Sequence, residues 1–120
     1  ETIFGGSAVL SFRLPPERVQ SLLGTKGSEV EGTVTWVVLP GAALELFWFA
    51  PGKPGRPVVW DRPGCTHFAL AVTHIQDWYA RMREHGVVCL GSPRQHGDAW
   101  FFYITDPDGN HIELIEILAD

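Results

Sequence analysis

Phe102-Tyr103-Ile104-Thr105-Asp106-Pro107-Asp108-Gly109-Asn110-His111-Ile112-Glu113-Leu114 is the stretch on which the fold turns. Its first half continues Ala99 to Ile104 (AWFFYI), an aromatic and aliphatic run that reads as a buried strand. Asp106-Pro107-Asp108-Gly109 is a turn, because Pro presets φ and Gly accepts positive φ. His111 to Leu118 (HIELIEIL) then returns as a strand. Side chains alternate faces along a strand, so Glu113 shares a face with His111, Ile115 and Ile117. A carboxylate on an apolar face is costly unless a cation, a hydrogen-bond donor or a metal pairs with it.

Working upstream, Thr66 to Val72 (THFALAV) is expected to be a buried strand. Thr73 then caps a helix, with Gln76 completing a capping-box pattern. Ile75, Trp78, Tyr79 and Met82 fall on one apolar helical face, and Gly86 stops the helix. Val87 to Leu90 reads as a strand and Gly91 to Asp98 as a polar loop. The order over residues 64–120 is β-α-β-β-β.

The same ending occurs earlier in the chain. Thr33 to Leu39 (TVTWVVL) is a strand, Pro40-Gly41 turns it, and Ala43 to Phe49 (ALELFWF) runs back with Glu45 between two leucines. Pro40 to Glu45 is five residues and Pro107 to Glu113 is six. Two related modules are expected from such a repeat. Before it lie a strand at Ala8 to Phe12 and a short helix over Pro16 to Gly24, which starts with Pro and Glu and ends with Gly. Between the repeats, residues 51–63 read as a linker, since four prolines and three glycines fall between Ala50 and Cys65.

The chain has 120 residues, 45% hydrophobic and 19% charged, which suits one folded domain or two small modules and excludes a disordered chain. Nine Lys+Arg against 14 Asp+Glu leave a net charge of −5, so nucleic acid is not an expected partner. No apolar run approaches the ~18 residues of a membrane span. The start, Glu1-Thr2-Ile3-Phe4, has neither a basic region nor a cleavage site, so no targeting peptide is expected, and it carries no initiator Met. Cys65 and Cys89 form no disulfide framework and read as buried structural thiols, which points to a reducing, cytoplasmic setting.

Three residues stand out chemically. Glu45 shares a strand face with Ala43, Phe47 and Phe49; Glu113 repeats that situation; His67 interrupts an apolar strand. Each alone reads equally as an exposed or locally satisfied polar group. Together they make a mixed nitrogen and oxygen set that suits a divalent ion such as Zn, Ni, Mn or Fe(II). His111 lies two residues from Glu113, either as a further ligand or at the rim of a pocket. Trp36, Phe47 and Trp100 are the aromatic candidates for a substrate pocket, although Trp in small sheets more often serves packing. His74 and His85 sit at the helix ends and read as solvated.

Gly64-Cys65-Thr66-His67-Phe68-Ala69-Leu70-Ala71-Val72, the helix ending at Gly86 and the DPDGN..EL ending together resemble the vicinal oxygen chelate superfamily of glyoxalases, bleomycin-resistance proteins and extradiol dioxygenases. The resemblance covers residues 64–117 and, less specifically, 30–50. It implies an α+β fold, with paired βαβββ modules forming a curved, mostly antiparallel sheet around a central cleft. It also implies that His67, Glu113 and Glu45 are metal ligands, with the first and last strands of each module supplying them. The first module departs from the pattern. Either Ala8 to Phe12 is its opening strand, which then lacks a ligand, or residues 1–50 begin at its second strand and residues 16–24 are an insert. The short span from Gly24 to Glu45 favours the second alignment, in which the opening strand and helix are lacking.

His96, Phe102-Tyr103, Asp106-Pro107, Gly109 and Glu113 also come close to the extradiol dioxygenase signature. That resemblance implies a His acting as acid/base and a Tyr binding a substrate hydroxyl, here His96 and Tyr103. Arg94 departs from it, standing where a small or aliphatic residue is expected. The expected function is a divalent-metal-dependent enzyme on a small oxygen-rich metabolite, of isomerase, lyase or dioxygenase type. Glu45 and Glu113 are its further candidates for proton transfer, and a homodimer is expected. The alternative is a metal-free, dimeric drug- or metabolite-binding protein of the bleomycin-resistance kind.

Overall fold

The computed structural model describes residues 3–23, 30–50, 52 and 58–118. The opening pair Glu1-Thr2, the expected helix stop at Gly24 and the linker residues 51 and 53–57 lie outside the described residues. The chain divides into two compact units, Glu1–Pro54 and Gly55–Asp120.

The second unit has the element order β-α-β-β-β. Numbered along the whole chain, its elements are β4 (His67–Ala71), α2 (Ile75–Glu84), β5 (Arg94–His96), β6 (Ala99–Thr105) and β7 (His111–Ile117). The sheet order is β4-β7-β6-β5, with β4 and β7 parallel and the other pairs antiparallel. The DPDGN turn sets the β6–β7 register. Asp106 Oδ1 accepts hydrogen bonds from the backbone N–H of Asp108 (3.0 Å) and Asn110 (2.7 Å), and its Oδ2 accepts one from Asn110 Nδ2 (2.9 Å). With Thr105 facing His111, every later pair follows, and Tyr103 faces Glu113.

Helix α2 packs across β6 and β7. Ile75 and Met82 bury against the face that carries Phe102, Ile104 and Leu114, and Tyr79 meets Phe102 edge-on at 5.5 Å. Gly86, at φ 73°, ends the helix: the Val87 N–H donates to Met82 O and the Gly86 N–H to Arg83 O.

The start of α2 differs from expectation. The N-cap is His74 in the left-handed region (φ 58°, ψ 56°) and makes no side-chain cap, so the Thr73–Gln76 box does not form. Glu116 on β7 caps the helix instead, accepting from the His74 N–H at 2.8 Å and the Ile75 N–H at 3.1 Å. A carboxylate suits the positive end of the helix. The two backbone N–H bonds, first from Ile75 and then from His74, hold the Glu116 carboxyl below its ordinary value of 4.5. A lowered folded-state value stabilises the fold above the unfolded value and ceases to do so as pH falls through the folded one. Glu116→Gln is therefore expected to lower the thermal midpoint at neutral pH. Its difference from wild type should shrink as pH is taken below 4.5, which a pH series of melts will check.

Two strands also depart from their expected form. Residues 87–90 form only an isolated bridge, Cys89 to Ile104, with Leu90 N–H donating to Tyr103 O at 2.8 Å. The pairing with β6 is interrupted around Gly91 (φ 111°) and resumes as the short β5, inside the stretch expected to be a loop. β4 is not a buried strand, since among the described residues it lies at the sheet edge beside β7, and Phe68 is 39% exposed.

The first unit holds β1 (Ser7–Leu14), α1 (Pro16–Leu23), β2 (Glu31–Leu39) and β3 (Ala42–Ala50) in the antiparallel order β1-β2-β3. Leu14, Val19 and Val34 form its buried cluster, with Trp36 and Phe49 packed against it. A two-residue turn, Pro40 and Gly41 (φ 79°), joins β2 to β3. In the second unit the opening strand β4 lies parallel to the last strand β7. In the first, β1 pairs with β2, and among the described residues no strand flanks the outer edge of β3. The antiparallel order β1-β2-β3 is the same as that of β5-β6-β7, and α1 lies between β1 and β2 in the chain. No helix among the described residues is long and apolar enough to cross a membrane.

Candidate functional site

The face of the second sheet opposite α2 gathers the polar residues. Register places His67 beside His111, Glu113 beside both Ala69 and Tyr103, and Thr105 beside His111. His67, His111, Glu113 and Tyr103 therefore lie on one face of three adjacent strands. His67 Nε2 stands 3.2 Å from Glu113 Oε2, with the two side chains 30% and 14% exposed. His67 Nδ1 is 3.0 Å from the Thr66 hydroxyl, and the Thr66 contact orients the ring so that Nε2 faces the carboxylate. Burial pushes the Tyr103 phenol up, and the hydrogen bond to Glu113 and the charge of that carboxylate push it further. The phenol thus stays protonated at neutral pH and donates to Glu113.

Aromatic rings close around this pair. Trp60 lies 4.8 Å from the His111 ring at 24°, nearly parallel, and 5.1 Å from the His67 ring. Tyr103 meets Trp60 edge-on at 5.2 Å and His67 at 5.4 Å. His111 Nδ1 is buried with no hydrogen-bond partner among the described residues. Sequence reasoning did not single out Trp60. Its one local signal was Val58-Val59-Trp60, an apolar run inside an otherwise Pro- and Gly-rich stretch.

The remaining candidates fall elsewhere. His96 pairs with Ala99, which faces Ile117, four residues beyond Glu113 on β7 and so roughly 13 Å along the strand. Trp100 faces Glu116 on the α2 side, where it lines a pocket of about 310 Å³ with His74, Ile75 and Leu118. In the first unit Glu45 is exposed, directly opposite Trp36, and Phe47 lies on the same face, stacked on Phe49 at 6.0 Å. Cys65 is exposed rather than buried, because it precedes the edge strand β4. Cys89 is partly buried; burial raises its thiol despite the nearby Arg83, so it stays protonated.

His67 and Glu113 together fit one side of a divalent-metal site, offering an imidazole nitrogen and a carboxylate oxygen that converge on one point. Among the described residues no group of three or more His, Cys, Asp or Glu is arranged around a common centre. The unpartnered His111 nitrogen is a third polar atom on the same face.

The comparisons with known proteins agree with this architecture. The family model of the Glyoxalase/Bleomycin resistance protein/Dioxygenase superfamily matches residues 4–114. A glyoxalase family protein from Bacillus cereus superposes with a TM-score of 0.81 at 20% identity, over 98% of this chain and 81% of that one. The fosfomycin resistance protein FosX from Listeria monocytogenes gives 0.61 at 16% identity, over 98% and 75%. The trypanothione-dependent glyoxalase I of Leishmania major gives 0.62 at 19%, over 95% and 70%. No curated protein matches the sequence. At these identities the superpositions speak for the fold, and the family model, which spans nearly the whole chain, speaks for descent: the chain belongs to the glyoxalase/bleomycin resistance protein/dioxygenase superfamily.

Proposed function

We propose that this protein is a divalent-metal-dependent enzyme acting on a small, oxygen-rich metabolite, with chemistry of isomerase, lyase or dioxygenase type. The observation that carries the proposal is the convergence of His67 Nε2 and Glu113 Oε2 within 3.2 Å on a half-buried face. His67 and Glu113 would hold the ion, and Glu45 is proposed as a further ligand on the strength of the repeated sequence pattern. A bound Zn, Ni, Mn or Fe(II) would supply Lewis acidity toward two neighbouring substrate oxygens. Tyr103, kept protonated, orients the Glu113 carboxylate and offers a hydrogen-bond donor to a substrate oxygen. Glu113 and Glu45 are the proposed proton carriers, and His96 belongs to the dioxygenase variant of the proposal. The proposed assembly is a cytoplasmic homodimer.

A second reading is supported by the 3.2 Å contact between His67 Nε2 and Glu113 Oε2, in which the two side chains partner each other without a metal. In that reading the protein sequesters a small molecule on its aromatic residues. Elemental analysis of protein purified without chelator separates the two. Near-stoichiometric divalent metal is expected, and protein that stays metal-free after incubation with Zn, Ni, Mn and Fe(II) would overturn the enzyme proposal.

A further inference from the structure

Trp60 belongs to no strand or helix and sits in a turn closed by a 3.4 Å hydrogen bond from Arg62 N–H to Val59 O. Its ring is nevertheless placed by three partners, His67, Tyr103 and His111, which come from β4, β6 and β7. It remains 47% exposed. One part of the indole therefore packs on the residues of the candidate site and the rest faces solvent beside them. An indole in this position offers a flat, apolar surface whose burial by a ligand is favourable, and stacking adds about 0.5–1.5 kcal/mol beyond area.

We propose that Trp60 is the specificity-determining wall of the His67–Glu113 site, and that the ligand bound there carries a planar ring placed against the indole while its oxygen atoms are directed to the His67–Glu113 side. The proposal deepens the preceding functional reading and rests on it for the second half of the contact. The ring selects among ligands that share the same oxygen pair, because those oxygens meet the His67–Glu113 side identically in each.

Benzohydroxamate and acetohydroxamate test this, since they carry the same oxygen pair and differ in having a ring or a methyl group. Each is titrated into the Ni²⁺-incubated protein and followed by tryptophan fluorescence and by equilibrium dialysis. Wild type should bind benzohydroxamate more tightly. Trp60→Ala should weaken benzohydroxamate about 2- to 13-fold, the range equivalent to the stacking energy, and leave acetohydroxamate within about twofold. Trp60→Phe should retain most of the preference and serve as the folding control. An equal loss for both ligands would overturn the proposal, showing that Trp60 only positions the imidazoles. No loss for either, or no benzohydroxamate binding by wild type, would overturn it as well. Ring preference that depends on Trp60 but survives in His67→Ala would support the wall and remove the metal reading alone.

Discussion

His67→Ala and Glu113→Ala are each expected to lower divalent-metal affinity by more than about 100-fold, beyond the 10- to 100-fold typical of losing an outer hydrogen-bond partner. His67 and Glu113 converge from two strands held in register by β4–β7 pairing, so losing either side chain removes one of the two donor atoms that meet there. Glu113→Ala also removes the negative charge that would draw a cation to this half-buried face and leaves Tyr103 without its acceptor. Tyr103→Phe, which keeps the ring and deletes only the donor to Glu113, should fall within the 10- to 100-fold range. Equilibrium dialysis with Zn²⁺ and Ni²⁺ measures all three. Equal affinity in wild type and Glu113→Ala would mean that the carboxylate is paired with His67 for structural reasons only.

Leu114→Ala is expected to have the largest effect on stability, about 2–5 kcal/mol, the range for truncating a fully buried Leu. Leu114 has no exposed surface and faces Phe102 across β6, on the side covered by α2 through Met82 and Ile75. The second unit is small, Gly55–Asp120, and such units have little stability in reserve. A void there loosens the sheet whose opposite face carries Glu113, one residue away. Denaturant titration at neutral pH measures the loss. A cost below about 1 kcal/mol would show that α2 settles into the void. If the site depends on the sheet's rigidity, metal affinity in this variant should fall even where the protein remains folded.

The repeated hairpins were legible because their signals are local. Pro40-Gly41 and Asp106-Pro107-Asp108-Gly109 mark turns, and the flanking runs alternate in a way that only a strand uses. That alternation alone put Glu113 and His111 on one face, where they are found. The Thr73–Gln76 box, by contrast, had the right letters and failed. A residue forty-two positions later on β7, Glu116, reached the His74 N–H, and the chain entered the helix through a left-handed His74. The strand expected at residues 87–90 met a similar limit. Its composition suits a strand, but after a single bridge at Cys89 the pairing with β6 is interrupted at Gly91, at positive φ, and resumes only at Arg94.

The sequence by itself determined which residues alternate, where the chain turns, and that a carboxylate recurs between aliphatic neighbours. These properties depend on residues within a few positions of one another. Only the tertiary structure decided that β4 lies parallel to β7, which carries His67 to Glu113 across forty-six positions of chain. It alone set the order β1-β2-β3 in one sheet and β4-β7-β6-β5 in the other, because strand order is chosen by pairing between distant segments. It alone brought Trp60 out of a Pro- and Gly-rich stretch onto His67, Tyr103 and His111. No local pattern specifies where an isolated aromatic ring comes to rest, since the apolar surface that receives it is assembled from three separate strands.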